Sequence, residues 1–341
     1  MKLTRIATAL SLCFAAAVSV AQPVSEYPAA QTFPNENLAL SSEALNRARE
    51  LAGDDLYPFF AQRCILDQAY PILDDLMQER QLVLPTQVFD DLYFVGAVNV
   101  SAWLVKTNAG YVLFDTMNNA DEAENIVMAG VRKLGINPND VRYAVITHEH
   151  GDHYGGLRYL QDTYGILGVA SDIAWNTMAT GAVGRPVRNI TIPDGGLWTV
   201  GEKTFQFVVT PGHTPGAFSS IIPVTDRGQP HKAALYGGFG IPGTVANKVL
   251  QIQSLHKFGA FTQAAGVDVI LGNHQVQDQS LYKIDLVRHR RAQDPNPFVI
   301  EKPAPGAKVH PEKFRAYSRF LQMQEQCIRV NAARNNQTLP L

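Results

Sequence analysis

The chain has 341 residues, 46 % hydrophobic and 18 % charged, with a formal net charge of −2 at pH 7. That is ample apolar material for a large α/β core, and it excludes a disordered or low-complexity protein. Without a basic surplus to neutralise phosphates, a nucleic-acid partner is excluded and a small-molecule substrate is expected.

Lys2 and Arg5 precede an apolar run over 6–20, and Ser19-Val20-Ala21 offers small residues where a signal peptidase reads them. The run falls short of the about 20 apolar residues that span a membrane. Residues 1–21 are therefore expected to be a signal peptide for a periplasmic or secreted protein, with no stable membrane insertion after its removal. Cys13 follows Leu12 rather than a small residue, which disfavours lipid attachment. Cys64 and Cys327 then remain, in a compartment where disulfides form. They are either a bridge, for which chain-entropy models allow roughly 4–5 kcal/mol, or two buried thiols.

Residues 22–85 read as a helical N-terminal region. A Pro-rich start leads to helices over 41–51, 56–70 and 71–81, the first followed by Gly53 and the last opened by Pro71. Strands are expected next, over 92–95, 98–106, 111–115, 141–147 and 167–170, with helices over 121–134 and 155–164. Further strands follow over 187–192, 197–200, 204–209, 218–223, 232–236 and 267–271, with a helix over 249–265 before the last. Helices over 281–290 and 311–333 close the pattern. A main domain is thus bounded at 86–290, with 291–341 a C-terminal extension. Two mixed sheets with helices outside accommodate this order, and so do other α/β layouts.

The chemistry is concentrated after the strand over 141–147, in His148-Glu149-His150-Gly151-Asp152-His153. His148 and His150 are two apart and project to one side of extended backbone. Gly151 permits a sharp turn that sends Asp152 and His153 to a neighbouring point. Imidazole and carboxylate are zinc ligands, and a catalytic zinc keeps three protein ligands plus an open position, so further histidines are required. His213, in Thr210-Pro211-Gly212-His213-Thr214-Pro215-Gly216, and His274, in Gly272-Asn273-His274, both follow strands beside glycine. His231, His256, His289 and His310 read as ordinary histidines, and Glu149 as a bystander. Asp115, closing a strand, is either a carboxylate supporting the ligands or a simple turn residue.

HEHGDH, TPGHTPG and GNH together resemble the zinc-binding pattern of the metallo-β-lactamase superfamily, over about residues 98–274. The resemblance implies that family's αββα four-layer sandwich, here with a helical N-terminal region and a C-terminal helical extension. It implies two zinc ions, one held by His148, His150 and His213, the other by Asp152, His153 and His274. Many relatives add an aspartate or a cysteine between the last two histidines; the matching stretch Leu235–Gly240 has neither, and Phe239 stands near the cysteine position. That departs from glyoxalase-type and lactonase-type relatives and resembles the lactamase subclass lacking the cysteine. The implied reaction is opening of a cyclic amide such as a β-lactam by a hydroxide on zinc, with Asp152 orienting it and antibiotic resistance a possible consequence. The alternatives are a related hydrolase of a lactone, ester or thioester, and a metal-binding module without turnover.

Overall fold

A computed structural model describes residues 30–70, 82–300 and 316–340. The expected leader over 1–21, the helix over 71–81 and His310 lie outside the described residues.

The first sheet comprises β1 (Thr86–Phe89), β2 (Leu92–Phe94), β3 (Trp103–Thr107), β4 (Gly110–Phe114), β5 (Val141–Val145), β6 (Leu167–Ala170) and β7 (Ile190–Thr191). They lie in sequence order, antiparallel from β1 to β4 and parallel from β4 to β7. The second sheet holds β8 (Leu197–Val200), β9 (Lys203–Val209), β10 (Phe218–Asp226), β11 (Gln229–Leu235) and β12 (Val269–Leu271). Its order is β12-β11-β10-β9-β8, and only β11 and β12 run parallel.

The two-residue period of a strand sorts the side chains into layers. Trp103, Val105, Val112 and Phe114 meet Phe205, Phe207, Phe218 and Leu235 between the sheets. Their neighbours Leu104 and Leu113 face the other way, onto Val127, Leu157, Leu160 and Trp175 of the helices covering the first sheet. Val208, Ile221, Ala234 and Ile270 point outward from the second sheet, beneath Leu255 and Phe258 of the Val245–Ala265 helix and Phe320 of the Ala316–Arg334 helix. The result is an αββα sandwich. Burial on both faces explains why β4, β5 and β12 read as continuous apolar runs.

Both chain-terminal regions contribute to the outer layer of the second sheet. The Leu38–Ala52 helix packs on the Ala316–Arg334 helix, and a disulfide joins Cys64 to Cys327. Around it, Gln68 Nε2 donates to the Cys327 carbonyl (2.9 Å), and the Arg334 guanidinium donates to the Cys64 carbonyl (2.8 Å). Among the described residues no helix is long and apolar enough to cross a membrane.

Several elements differ from expectation, and β1 (Thr86–Phe89) is a strand where none was expected. The strand expected over 98–106 begins only at Trp103, because Ala97 N–H donates to the Val100 carbonyl (2.9 Å) and closes a tight turn. The strand expected over 187–192 shrinks to Ile190–Thr191. At Val187 the Gln161 amide takes both backbone groups, at 2.6 and 2.8 Å, in place of a ladder partner. An unanticipated helix, Asp172–Thr180, is capped by Ser171 Oγ, which accepts from Ala174 N–H (3.1 Å), and buries Ala174, Trp175 and Met178.

Candidate metal centre

Strand ends bring the site together. The loops after β4, β5 and β12 and the β9–β10 connection all open on the same edge of the sandwich. After β4 the chain turns through Asp115 (φ 63°) and Met117 (φ 66°), left-handed conformations that fold the Asp115 carboxylate back over the end of β5. There Asp115 Oδ1 accepts from Thr147 N–H (2.8 Å) and Oδ2 from the Thr147 hydroxyl (2.8 Å). This anchors the residue immediately before His148.

His150 remains extended (φ −80°, ψ 146°), and a short helix, Gly151–Tyr154, begins behind it. The helix start turns Asp152 and His153 away from the His148–His150 pair, so the expected role of Gly151 needs correction. Gly151 has no positive φ, and a Cβ there would meet only Val183 Cγ2, at 3.2 Å. The reversal comes from helix geometry rather than from glycine freedom.

The six predicted residues gather into two adjacent groups: His148, His150 and His213, and Asp152, His153 and His274. Within each, the donor atoms lie within 4.8 Å of one another. The three rings of the first group form a near-equilateral triangle, with centroids 4.7, 4.8 and 4.9 Å apart. The His148 and His153 rings, 4.0 Å apart, form the wall between the groups. In the second group His153 Nε2 lies 3.1 Å from His274 Nε2 and 3.1 Å from Asp152 Oδ2.

Partners fix which ring nitrogen faces inward. His153 Nδ1 meets Asp115 Oδ2 (2.8 Å), His274 Nδ1 the Asn99 carbonyl (2.8 Å), and His213 Nδ1 the Gly240 carbonyl (3.0 Å). These acceptors cannot donate, so each ring gives its proton to them and turns the Nε2 lone pair to the centre. His148 Nδ1 is 3.2 Å from Thr147 Oγ1, which also accepts from Asn273 Nδ2 (3.0 Å). His148 Nε2 is buried with no hydrogen-bond partner, and the Nε2 atoms of His153 and His274 face each other at 3.1 Å. An orphaned lone pair on His148 and two ring nitrogens aimed at one another call for a cation between them. The donor set therefore fits the divalent metals it was expected to hold.

Without a metal, electrostatics diverge across the site. Burial, reinforced by the neighbouring rings, holds His148 well below the ordinary histidine value, His213 near 3 and His274 near 4. Burial also opposes charge on His153, but the Asp115 and Asp152 carboxylates outweigh it and lift that ring to about 10. Asp152 is in turn kept ionised: burial raises it, and His153 pulls it far below the usual carboxylate range.

Several supporting residues carry no obvious sequence signal. Gly240 lies against the His213 ring, and a Cβ there would come within 2.2 Å of Cε1. Glu149 is buried, not idle: it accepts from Thr214 Oγ1 (2.8 Å) and Gly216 N–H (2.8 Å). Asp278 secures the turn before His274 by accepting from Gly272 N–H (2.7 Å). Phe239 stacks on Tyr236 and meets Phe320 edge-on, in the outer apolar layer away from the histidines. His231 pairs with Asp268 and His256 with Glu325, both outside the site.

Residues 95–226 match the family model described as the metallo-beta-lactamase superfamily. Over that stretch the chain is similar to the metallo-β-lactamase superfamily. Its fold is similar to native FEZ-1 metallo-β-lactamase from Legionella gormanii, at TM-score 0.62 and 18 % identity over 76 % of this chain and 99 % of that one. It is also similar to BJP-1, a subclass B3 metallo-β-lactamase of Bradyrhizobium japonicum, at TM-score 0.57 and 21 % identity over 72 % and 94 %. Among curated proteins it is 26 % identical over 166 residues to the N-acyl homoserine lactonase AttM of Azorhizobium caulinodans. It is also 33 % identical over 82 residues to an uncharacterized protein of Aquifex aeolicus. These matches span 63 % and 39 % of the relatives' own lengths, below two thirds in both cases. The residues that could hold metal are grouped as His148/His150/His213 and Asp152/His153/His274.

Proposed function

We propose that this chain is a metallo-β-lactamase superfamily member, an exported two-zinc hydrolase that opens a cyclic amide such as a β-lactam, in the periplasm or outside the cell. The observation that carries the substrate class is the three-plus-three donor set without a carboxylate or thiol between the groups. Gly238 and Gly240 flank the His213 ring, and Phe239 points into the apolar layer. This supports the cysteine-free lactamase pattern over the pattern with a bridging aspartate. Export rests on the charged and apolar character of residues 1–21.

His148, His150 and His213 would hold one ion, and Asp152, His153 and His274 the other. Divalent zinc supplies Lewis acidity, polarising a carbonyl and making water nucleophilic near neutral pH. The chain's own residues set the geometry for this. Asp115 keeps the proton on His153 Nδ1, and the Asn99 and Gly240 carbonyls do the same for His274 and His213. Asp152 stays ionised and presents an acceptor that can hold an attacking water toward the substrate carbonyl. No serine or cysteine nucleophile is required.

A lactone, ester or thioester is the second reading, favoured by the stretch shared with the lactonase AttM. Nitrocefin turnover by the protein lacking residues 1–21 tests the first. Activity that disappears on chelation and returns with zinc supports it, and activity that survives exhaustive chelation refutes the metal mechanism. Two bound zinc ions without β-lactam turnover, together with turnover of a lactone panel, would move the assignment to the second reading.

A further inference from the structure

The first ligand group draws on two remote segments: His148 and His150 follow β5, whereas His213 sits in the β9–β10 connection. Their separation must be held by something other than chain continuity. The His213 ring is tied to Gly240 through Nδ1, which sets its rotation. Beside the Phe218 N–H bond to the Thr147 carbonyl (2.7 Å), a direct link between the two ligand-bearing loops is the side chain lying between the two histidines in sequence. Glu149 Oε2 accepts from the Thr214 hydroxyl and Oε1 from Gly216 N–H, both at 2.8 Å, one and three residues beyond His213. Gly216 is fixed in turn: its carbonyl accepts from Ser171 Oγ (2.7 Å), at the cap of the Asp172–Thr180 helix. The second group is held by Asp115, which also grips Thr147 before His148, and by the Asn99 carbonyl, and neither touches Glu149 in this arrangement.

We propose that Glu149 is a positioning residue for one metal of the pair: it clamps the His213 loop to the His148–His150 segment, so its removal loosens the first ion and spares the second. A carboxylate suits the task because it presents two acceptors, one for each donor of the opposing loop. The inference rests on the two-metal reading above.

The test uses the metal-free protein, with cobalt(II) as probe and a competing chelator to obtain affinities and d–d spectra for each equivalent. Glu149→Ala is expected to weaken one equivalent by about 10–100-fold, the range for lost supports of metal ligands, and to leave the other within about twofold. Glu149→Gln should restore most of the loss. Its oxygen can still accept from Gly216 N–H, while its amide donates to the Thr214 hydroxyl acting as acceptor. Thr214→Val should weaken the same equivalent, and its effect should vanish in the Glu149→Ala background. If Glu149→Ala does not fold, Glu149→Gln and Thr214→Val carry the test. Wild-type binding of two equivalents with unchanged affinities in the variants would overturn the clamp alone, as would equal weakening of both equivalents. Failure of the wild type to bind cobalt would overturn the two-metal reading and the clamp with it.

Discussion

The Asp115 carboxylate, almost fully buried, lies 2.8 Å from His153 Nδ1 and simultaneously grips Thr147, the residue before His148. One side chain thereby supports a ligand in each metal group. Asp115→Asn tests this cleanly, because asparagine tolerates the left-handed backbone at this position. Affinity for the second metal should fall about 10–100-fold, measured by chelator competition, while circular dichroism stays unchanged.

Gly240→Ala places a methyl group within 2.2 Å of His213 Cε1 and 2.4 Å of Nδ1. The ring must move, and a ligand displaced by about 1 Å can cost on the order of 100-fold in rate. The expected result is a kcat/KM loss of that size in a variant whose secondary structure is intact. Activity within a fewfold of wild type would show that the loop yields instead of the ring.

Phe239→Cys supplies a thiol near the position where many relatives have one. Because Phe239 packs on Tyr236 and Phe320, the thiol should be buried in the outer layer, out of reach of the metals. Cobalt-substituted protein should lack a thiolate charge-transfer band. Stability in urea should drop by about 3 kcal/mol from the cavity left behind.

Burial lifts Asp278 to about 6, above its ordinary 3.8, although Lys283 and its hydrogen bonds pull the other way. The folded state thus binds this proton more tightly than the unfolded chain. Its contribution to stability is complete below pH 3.8 and is lost as pH rises through 6, by about 3 kcal/mol in total. Urea unfolding of metal-free wild type and Asp278→Asn across pH 3.5–7, an interval of about three units chosen to bracket both values, should show the difference changing by that amount. A constant difference would mean that Asp278 does not titrate in this interval.

Replacing Cys64 and Cys327 together by serine opens a loop of 263 residues in the unfolded chain. Chain entropy sets an upper range of about 5 kcal/mol for the loss. Reductant should lower the urea midpoint of the wild type toward that of the double variant and leave the variant unaffected.

The six residues that cluster into the two groups were legible in the sequence, because histidines beside glycine at the ends of apolar runs have few purely structural uses. What orients them was not. Two of the acceptors are the backbone carbonyls of Asn99 and Gly240, and a carbonyl leaves no mark in the side-chain sequence. Asp115 was legible as a strand-end carboxylate but equally as a turn residue; its contact with His153 spans 38 positions. Glu149 looked idle because spacing says nothing about which distant loop a side chain meets. The pairing of Cys64 with Cys327 could not be separated from two buried thiols without the helix packing that brings them together. The helix Asp172–Thr180 did carry its signal, a serine cap followed by buried positions three and four apart.

The outer face of the second sheet is covered by the Ala316–Arg334 helix, which in turn seats the Leu38–Ala52 helix and receives the Cys64 bridge. A ribosome that has made residues up to 300 has therefore supplied the twelve strands of the described residues and the six clustered metal-capable residues, yet Val208, Ile221 and Ala234 still lack part of their cover. The Leu38–Ala52 helix, made early, must wait for residues 316–334 before it has a place to dock. Folding to the oxidised state consequently requires the Ala316–Arg334 helix, and a chain cut before residue 316 should be an apolar, aggregation-prone intermediate whose metal-binding loops are already encoded.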